Sequence, residues 1–158
     1  MTAKDAIRLR FLVAGADLLL PDPASPGRAD GLWKSTCFEL FLQPLTTFGY
    51  FEMNFSPSTQ WAAYRFDSYR KGMRDMQVSV EPHIELRTDP EDNDAHHVLE
   101  VAVDLSDIPA QALRMGLSAV IEEKGGRKSW WALAHPPGGP DFHHRDCFAL
   151  ELPAADAS

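Results

Sequence analysis

Apolar and polar residues alternate along much of this chain, in short runs separated by turn-forming residues. From Tyr50 to Ser56, Phe51, Met53 and Phe55 fall on one parity, and Tyr50, Glu52, Asn54 and Ser56 on the other. A period of two is the mark of a strand with two unlike faces. Ile7, Leu9, Phe11 and Val13 alternate with Arg8 and Arg10. Val78 to Leu86 repeats the pattern around Pro82, which suggests an edge or a bulge. Leu99, Val101, Val103 and Leu105 alternate with Glu100 and Asp104. Further strands are predicted at Cys37–Gln43, Trp61–Phe66, Leu117–Glu123, Ser129–His135 and Cys147–Leu152. Gly125-Gly126 is placed to turn a hairpin between two of them.

No segment sustains a helical period. Ser106 to Leu113 predicts one helical turn, with Ser106 or Asp107 as N-cap and Pro109 near the first helical positions. The stretches 21–31, 67–75, 88–95 and 136–140 are rich in Pro, Gly or charge and predict loops. The expected fold is therefore all-β: an antiparallel β-sandwich, jelly-roll-like, forming a single domain over residues 1–152 with a disordered tail at 153–158. Its centre is the meander from Asp30 to Phe66, which holds six of the nine Phe and so supplies most of the large core side chains.

Charge narrows the partners. A formal net charge of −8 without a Lys/Arg-rich run argues against nucleic acid and anionic membrane. No apolar run is long enough to span a bilayer. The run Phe11–Ala16 after Lys4, Arg8 and Arg10 is interrupted by Asp17, too soon for a secretory signal. A cytoplasmic protein is expected, with Cys37 and Cys147 reduced and forming no disulfide framework.

Three stretches carry a family resemblance. DGLWKSTCFELFLQP, YFEMNFSP and DFHHRDCFALEL resemble segments of the family 9 carbohydrate-binding modules and of the wider DOMON-like β-sandwiches, small stand-alone bacterial members included. In the last stretch Arg145 stands where that family usually has Pro, and Ala149 where it has Gly. The resemblance spans roughly Asp30 to Leu152. It implies a β-sandwich and a saccharide ligand. For DOMON relatives it also implies haem held by Met and His, for which Met73 and His135 are available.

The residues themselves offer candidate chemistry. Sugars stack their C–H faces on flat aromatic rings, so Trp33 at a loop-to-strand junction and Trp61 after the Ser-Pro turn are candidate ligand contacts. Of the adjacent Trp130 and Trp131, at most one is expected in the core, because neighbours on a strand face opposite ways. Glu52 and Asn54 share a face, Glu39 joins them if the register is ordinary, and Arg70 or Arg65 lies at the edge. Such a set would hydrogen-bond hydroxyls; the plainer reading is a solvated sheet face. His143 and Cys147 are weak metal candidates, lacking the spacing of a zinc site, and are equally read as loop-locking and core residues. No catalytic constellation emerges and no cofactor is required. The expectation is a non-catalytic domain binding a small polar, saccharide-like ligand. The alternatives are a structural or interaction sandwich with no small ligand, and a haem or metal protein.

Overall fold

The computed structural model describes residues 6–92 and 96–154. The predicted tail therefore lies outside the described residues from position 155 onward, and the predicted 88–95 loop from position 93. Among the described residues eleven strands form two sheets. The small sheet has the order β1-β8-β7, from β1 (Ala6–Val13), β8 (His97–Asp104) and β7 (His83–Thr88). The large sheet runs β10-β9-β3-β4-β5-β2. Its strands are β2 (Gly27–Arg28), β3 (Cys37–Pro44), β4 (Tyr50–Phe55), β5 (Gln60–Phe66), β9 (Leu113–Glu122) and β10 (Lys128–Ala132). Two short strands, β6 (Arg74–Asp75) and β11 (Leu150–Leu152), add to β5 and β9. All pairings are antiparallel except β2 with β5.

The sheets pack face to face. Leu9, Ile84, Leu99, Val101 and Val103 of the small sheet meet Phe38, Leu40, Leu42, Met53, Phe55, Trp61 and Ala63 of the large one. This is the all-β, two-sheet sandwich that the alternation predicts, with β3, β4 and β5 as the expected meander. Among the described residues the helical segments are two 3-10 turns, Leu32–Lys34 and Arg145–Cys147.

Several boundaries differ from expectation, each for a local reason. The strand expected from Val78 begins only at His83. Pro82 has no N–H for the ladder, and Asp107 accepts the Ser79 backbone N–H at 2.6 Å and the Ser79 hydroxyl at 2.7 Å, holding that segment away from the sheet. With Asp107 engaged there, residues 106–112 form turns rather than a helix, and Leu113 already starts β9. The last expected strand is split. Residues 145–147 coil, with His144 Nδ1 accepting the Asp146 N–H, and only Leu150–Leu152 pair.

A second apolar cluster lies on the opposite, outer face of the large sheet. Phe41, Tyr50, Tyr64, Phe66 and Val120 are covered there by Phe142, Cys147 and Phe148 from the segment between β10 and β11. Gly116 permits this close cover: a Cβ at that position would sit 2.9 Å from the Phe148 ring and 3.0 Å from the Cys147 carbonyl oxygen. The central strands of the large sheet are thus buried on both faces.

Phe55 is fully buried between the sheets. Phe55→Ala is expected to destabilise the fold by about 3–5 kcal/mol, as buried Phe truncations do. Chemical denaturation checks this, and an unchanged midpoint would place Phe55 outside the core.

Candidate ligand-binding site

Strand register builds the site. Across the outer face of the large sheet, Ala62, Asn54, Glu39, Ser118 and Ala132 form one row. Tyr64, Glu52, Phe41 and Gly116 form the next, and Cys37, Val120 and Trp130 lie on the other side of the Glu39 row. Above these rows opens a cleft of about 470 Å³. Its floor includes Glu39, Glu52 and Tyr64, and its walls include Trp33, Trp130, Arg70 and the segment Pro140–His143.

The floor is polar yet almost dry. Glu39 is 3% exposed, Glu52 5% and Asn54 0%. The Ser118 hydroxyl donates to Glu39 Oε2 at 3.3 Å. Neither Oδ1 nor Nδ2 of Asn54 completes a hydrogen bond. Burial, with the charge of Glu52 adding to it, pushes the Glu39 carboxyl up to about 8 against the opposing pull of Ser118 and Arg70. Burial likewise raises Glu52 to about 7, with Arg70 and the Asn54 amide working against it. Near neutral pH this pair therefore retains protons. Cys37 lies among these groups, and burial beside Glu39 and Glu52 keeps its thiol protonated.

Arg70 is held by its own turn. Tyr69 and Arg70 sit at the tip of a tight turn closed by Lys71 N–H donating to the Ser68 carbonyl at 3.0 Å. Arg70 takes a left-handed backbone, φ 54°, uncommon outside Gly. The turn directs both side chains to Asp141. Arg70 Nη2 reaches Oδ1 at 2.8 Å, and the Tyr69 hydroxyl donates to Oδ2. Burial opposes ionisation of Asp141, but these two donors hold its carboxyl below the usual range.

His143 closes the polar network. Its ring packs edge-on against Phe41 and Phe66, with centroids 5.1 Å away in both cases. The Tyr50 hydroxyl accepts the Arg70 backbone N–H at 3.1 Å and lies 2.8 Å from His143 Nδ1. The other ring nitrogen, Nε2, faces Glu52 Oε2 at 3.9 Å. Burial and the nearby Arg70 lower His143 to about 4 despite Asp141, so at neutral pH this contact is not an ion pair.

Of the residues singled out from the sequence, Trp33, Glu39, Glu52 and Arg70 line the cleft, and Asn54 lies on the same sheet face, paired with Glu39 and fully buried behind the lining. Trp61 does not join them. It is 3% exposed on the inner face, stacked under Arg28 at 4.6 Å, because its parity matches Ala63 rather than Tyr64. Arg65 also points away, lying over Phe51. The solvated sheet face expected as the plainer reading is instead covered. Neither Trp130 nor Trp131 is core: Trp130 lines the cleft at 47% exposure, and Trp131 is exposed on the other side of its strand. Trp130, Tyr64 and Asp141 escape sequence reasoning because their places depend on the β9–β10 register and on a loop that folds back across the sheet.

His143 and Cys147 are occupied otherwise than by a metal site. The Cys147 thiol donates to the Asp141 carbonyl at 3.1 Å, and burial raises it to about 11. Among the described residues no three His, Cys, Asp or Glu side chains converge to hold a metal ion. Met73 lines the cleft, whereas His135 packs on Phe142 and is not among the lining side chains.

Fold and cleft together define a two-sheet, all-β domain with a ligand-sized cleft on the outer face of its large sheet. No protein-family model matches the sequence, and no curated protein matches it. In structure the chain is similar to a protein from Bacteroides uniformis ATCC 8492 described as a "putative carbohydrate-binding protein", with a TM-score of 0.53 at 11% identity. The match covers 94% of this chain and 71% of the other. At that identity the likeness is one of fold.

The raised carboxyls give a stability signature with a definite sign. Between the unfolded value of 4.5 and the folded values of about 7 and about 8, the native state binds more protons than the unfolded chain. Stability therefore falls as pH rises through this range. His143, depressed from 6.5 to about 4, acts in the opposite sense below pH 6.5, so the carboxyls dominate above it. Glu39→Gln is expected to raise stability at pH 8.5 by about 1–3 kcal/mol, the penalty of an uncompensated buried polar group, and to change little at pH 5.5. Thermal melts across pH check this; an equal effect at both values would show that Glu39 is not held protonated.

Proposed function

We propose that this chain is a non-catalytic binding domain for a small polar ligand of saccharide type, taken up in the cleft above Glu39 and Glu52. The observation that carries the reading is the pair of half-exposed indoles, Trp33 at 52% and Trp130 at 47%, standing beside a buried hydrogen-bonding floor. Flat rings take the C–H faces of a sugar, while carboxyl and amide groups beneath them take its hydroxyls. Asn54 supports the reading: a fully buried amide with no partner for either polar atom is suited to a ligand that supplies one.

The structural likeness to the carbohydrate-binding-type protein from Bacteroides uniformis agrees with this reading. So does the resemblance of Asp30–Leu152 to family 9 carbohydrate-binding modules and DOMON-like sandwiches. The cleft favours one short ligand unit over a long chain, given its size of about 470 Å³.

Titrating mono- and disaccharides while following tryptophan fluorescence tests the proposal. Binding is expected at about micromolar to millimolar Kd, the range a few stacking and hydrogen-bond contacts support. Trp33→Ala should abolish the response while shifting stability by no more than about 0.5 kcal/mol, as exposed substitutions do. No response from the wild-type protein to any saccharide, or full binding by the Trp33 variant, would refute it.

A further inference from the structure

The cleft is lined by more acidic than basic side chains. Glu39, Glu52 and Asp141 line it, while Arg70 is its one guanidinium. Arg70 is already committed to Asp141 at 2.8 Å. His143 could have supplied a second positive charge, but its ring is packed among Phe41, Tyr50 and Phe66, with Nδ1 2.8 Å from the Tyr50 hydroxyl. Lys34 leans over the Trp33 ring at 5.8 Å and is not among the lining side chains. Glu52 has the Asn54 amide beside it, which favours its ionised form, and faces His143 Nε2 at 3.9 Å. Glu39 has only the long contact from Ser118.

An acidic pair alone does not make a site, but Asn54 is an independent sign of one. It stands directly across the strand from Glu39, on the face of Glu39 and Glu52. It is completely buried, and both its polar atoms lack partners. The Asn54 amide is near enough to Glu52 to favour its carboxylate, yet neither of its polar atoms completes a hydrogen bond. A metal ion would find too few ligands here. The spot is ringed by aromatic side chains: Trp33, Trp130 and Phe142 in the walls and Tyr64 in the floor. Carboxylates beneath aromatic rings suit an organic ammonium, which gains ion pairing below and cation–π attraction at the sides.

We propose that the ligand of this cleft carries a primary ammonium group, as an amino sugar does, and that this group docks between Glu39 and Glu52 with Asn54 completing its hydrogen bonds. The inference rests on the saccharide reading for the rest of the ligand. Ammonium binding draws both carboxyls toward ionisation, so it releases protons near neutral pH. The groups facing the pair are Ser118 from β9, Tyr64 from β5, Tyr50 and Cys37 from the strands themselves, and Arg70, Asp141 and His143 from the covering segments. Of these, Arg70 and Asp141 offset each other. Tyr50, Tyr64 and Cys37 are held protonated by burial, and His143 stays neutral, so the proton released comes from the glutamates.

Calorimetric titration of the full chain with glucosamine, N-acetylglucosamine, glucose and cyclohexylamine tests this. Glucosamine is expected to bind at least about tenfold tighter than either neutral sugar, the weak end of what one desolvated charge pair supplies. Its binding should release protons, seen as a dependence of the heat on buffer ionisation. Its affinity should rise from pH 5.5 to pH 7. Glu52→Gln, and separately Glu39→Gln, should remove the preference for glucosamine over glucose and the proton release. Equal binding of the three sugars overturns the ammonium inference and leaves the saccharide reading standing. Binding of cyclohexylamine and glucosamine alike, with no glucose bound, supports the ammonium inference and refutes the saccharide reading. No binding of any of the four overturns both.

Discussion

Two carboxyls and an amide lie on the outer face of the large sheet, and the chain buries that face as fully as the inner one. Burying an unpaired carboxylate is expensive, so the groups respond by holding protons. Glu39, Glu52 and Asn54 could have stood in water at no cost, as the polar face of an antiparallel sheet normally does. Instead Phe142, Cys147 and Phe148 are laid across Phe41 and Tyr50, and the polar residues are enclosed beside this second apolar cluster. The other features of the site follow from this enclosure: the protonated glutamates, the neutral histidine, and the commitment of Arg70 to Asp141.

The cover is held at several points. Gly116 leaves room for the Cys147–Phe148 backbone, the Cys147 thiol donates to the Asp141 carbonyl, and Asp141 in turn receives Tyr69 and Arg70 from the β5–β6 turn. On the other side, Lys128 of β10 donates to the Lys34 carbonyl at 2.7 Å, tying the turn that carries Trp33 to the strand that carries Trp130. The Tyr64 hydroxyl donates to Asp30 at 2.7 Å, anchoring the loop before that turn. The cleft wall is therefore assembled from segments far apart in sequence but bonded to one another. This arrangement can keep a small opening dry-floored without a single large lid.

Much of the fold is legible in the sequence because period-two alternation is a local signal. The Phe51, Met53, Phe55 parity places β4 correctly by itself, and Glu52 with Asn54 follows from the same count. Other features depend on contacts that no local pattern reports. Trp61 looks like a rim residue after a Ser-Pro turn, but its register with Phe55 turns it inward under Arg28. Trp130 and Trp131 are equivalent in sequence, and only the pairing of Trp130 with Val120 puts one of them over the acidic floor. The strand expected at Val78–Leu86 loses its first half to Asp107, a side chain almost thirty residues away in the chain. The C-terminal segment carries DFHHRDC, which reads as a candidate ligand set or the start of a strand. It is instead a cover whose histidines and cysteine are used up in holding it down.

The central claim is that Glu39 and Glu52 sit together in a water-poor floor and retain protons near neutral pH. The most direct measurement is a carbon-detected NMR titration of the glutamate side-chain carboxyls, assigned with Glu39→Gln and Glu52→Gln. The account predicts that these two shift with midpoints well above the ordinary 4.5, toward about 7 for Glu52 and about 8 for Glu39, with Glu39 moving lower when Glu52 is replaced. Midpoints near 4.5 for both, unaffected by the partner substitution, would mean that the floor is open to water and would contradict the account.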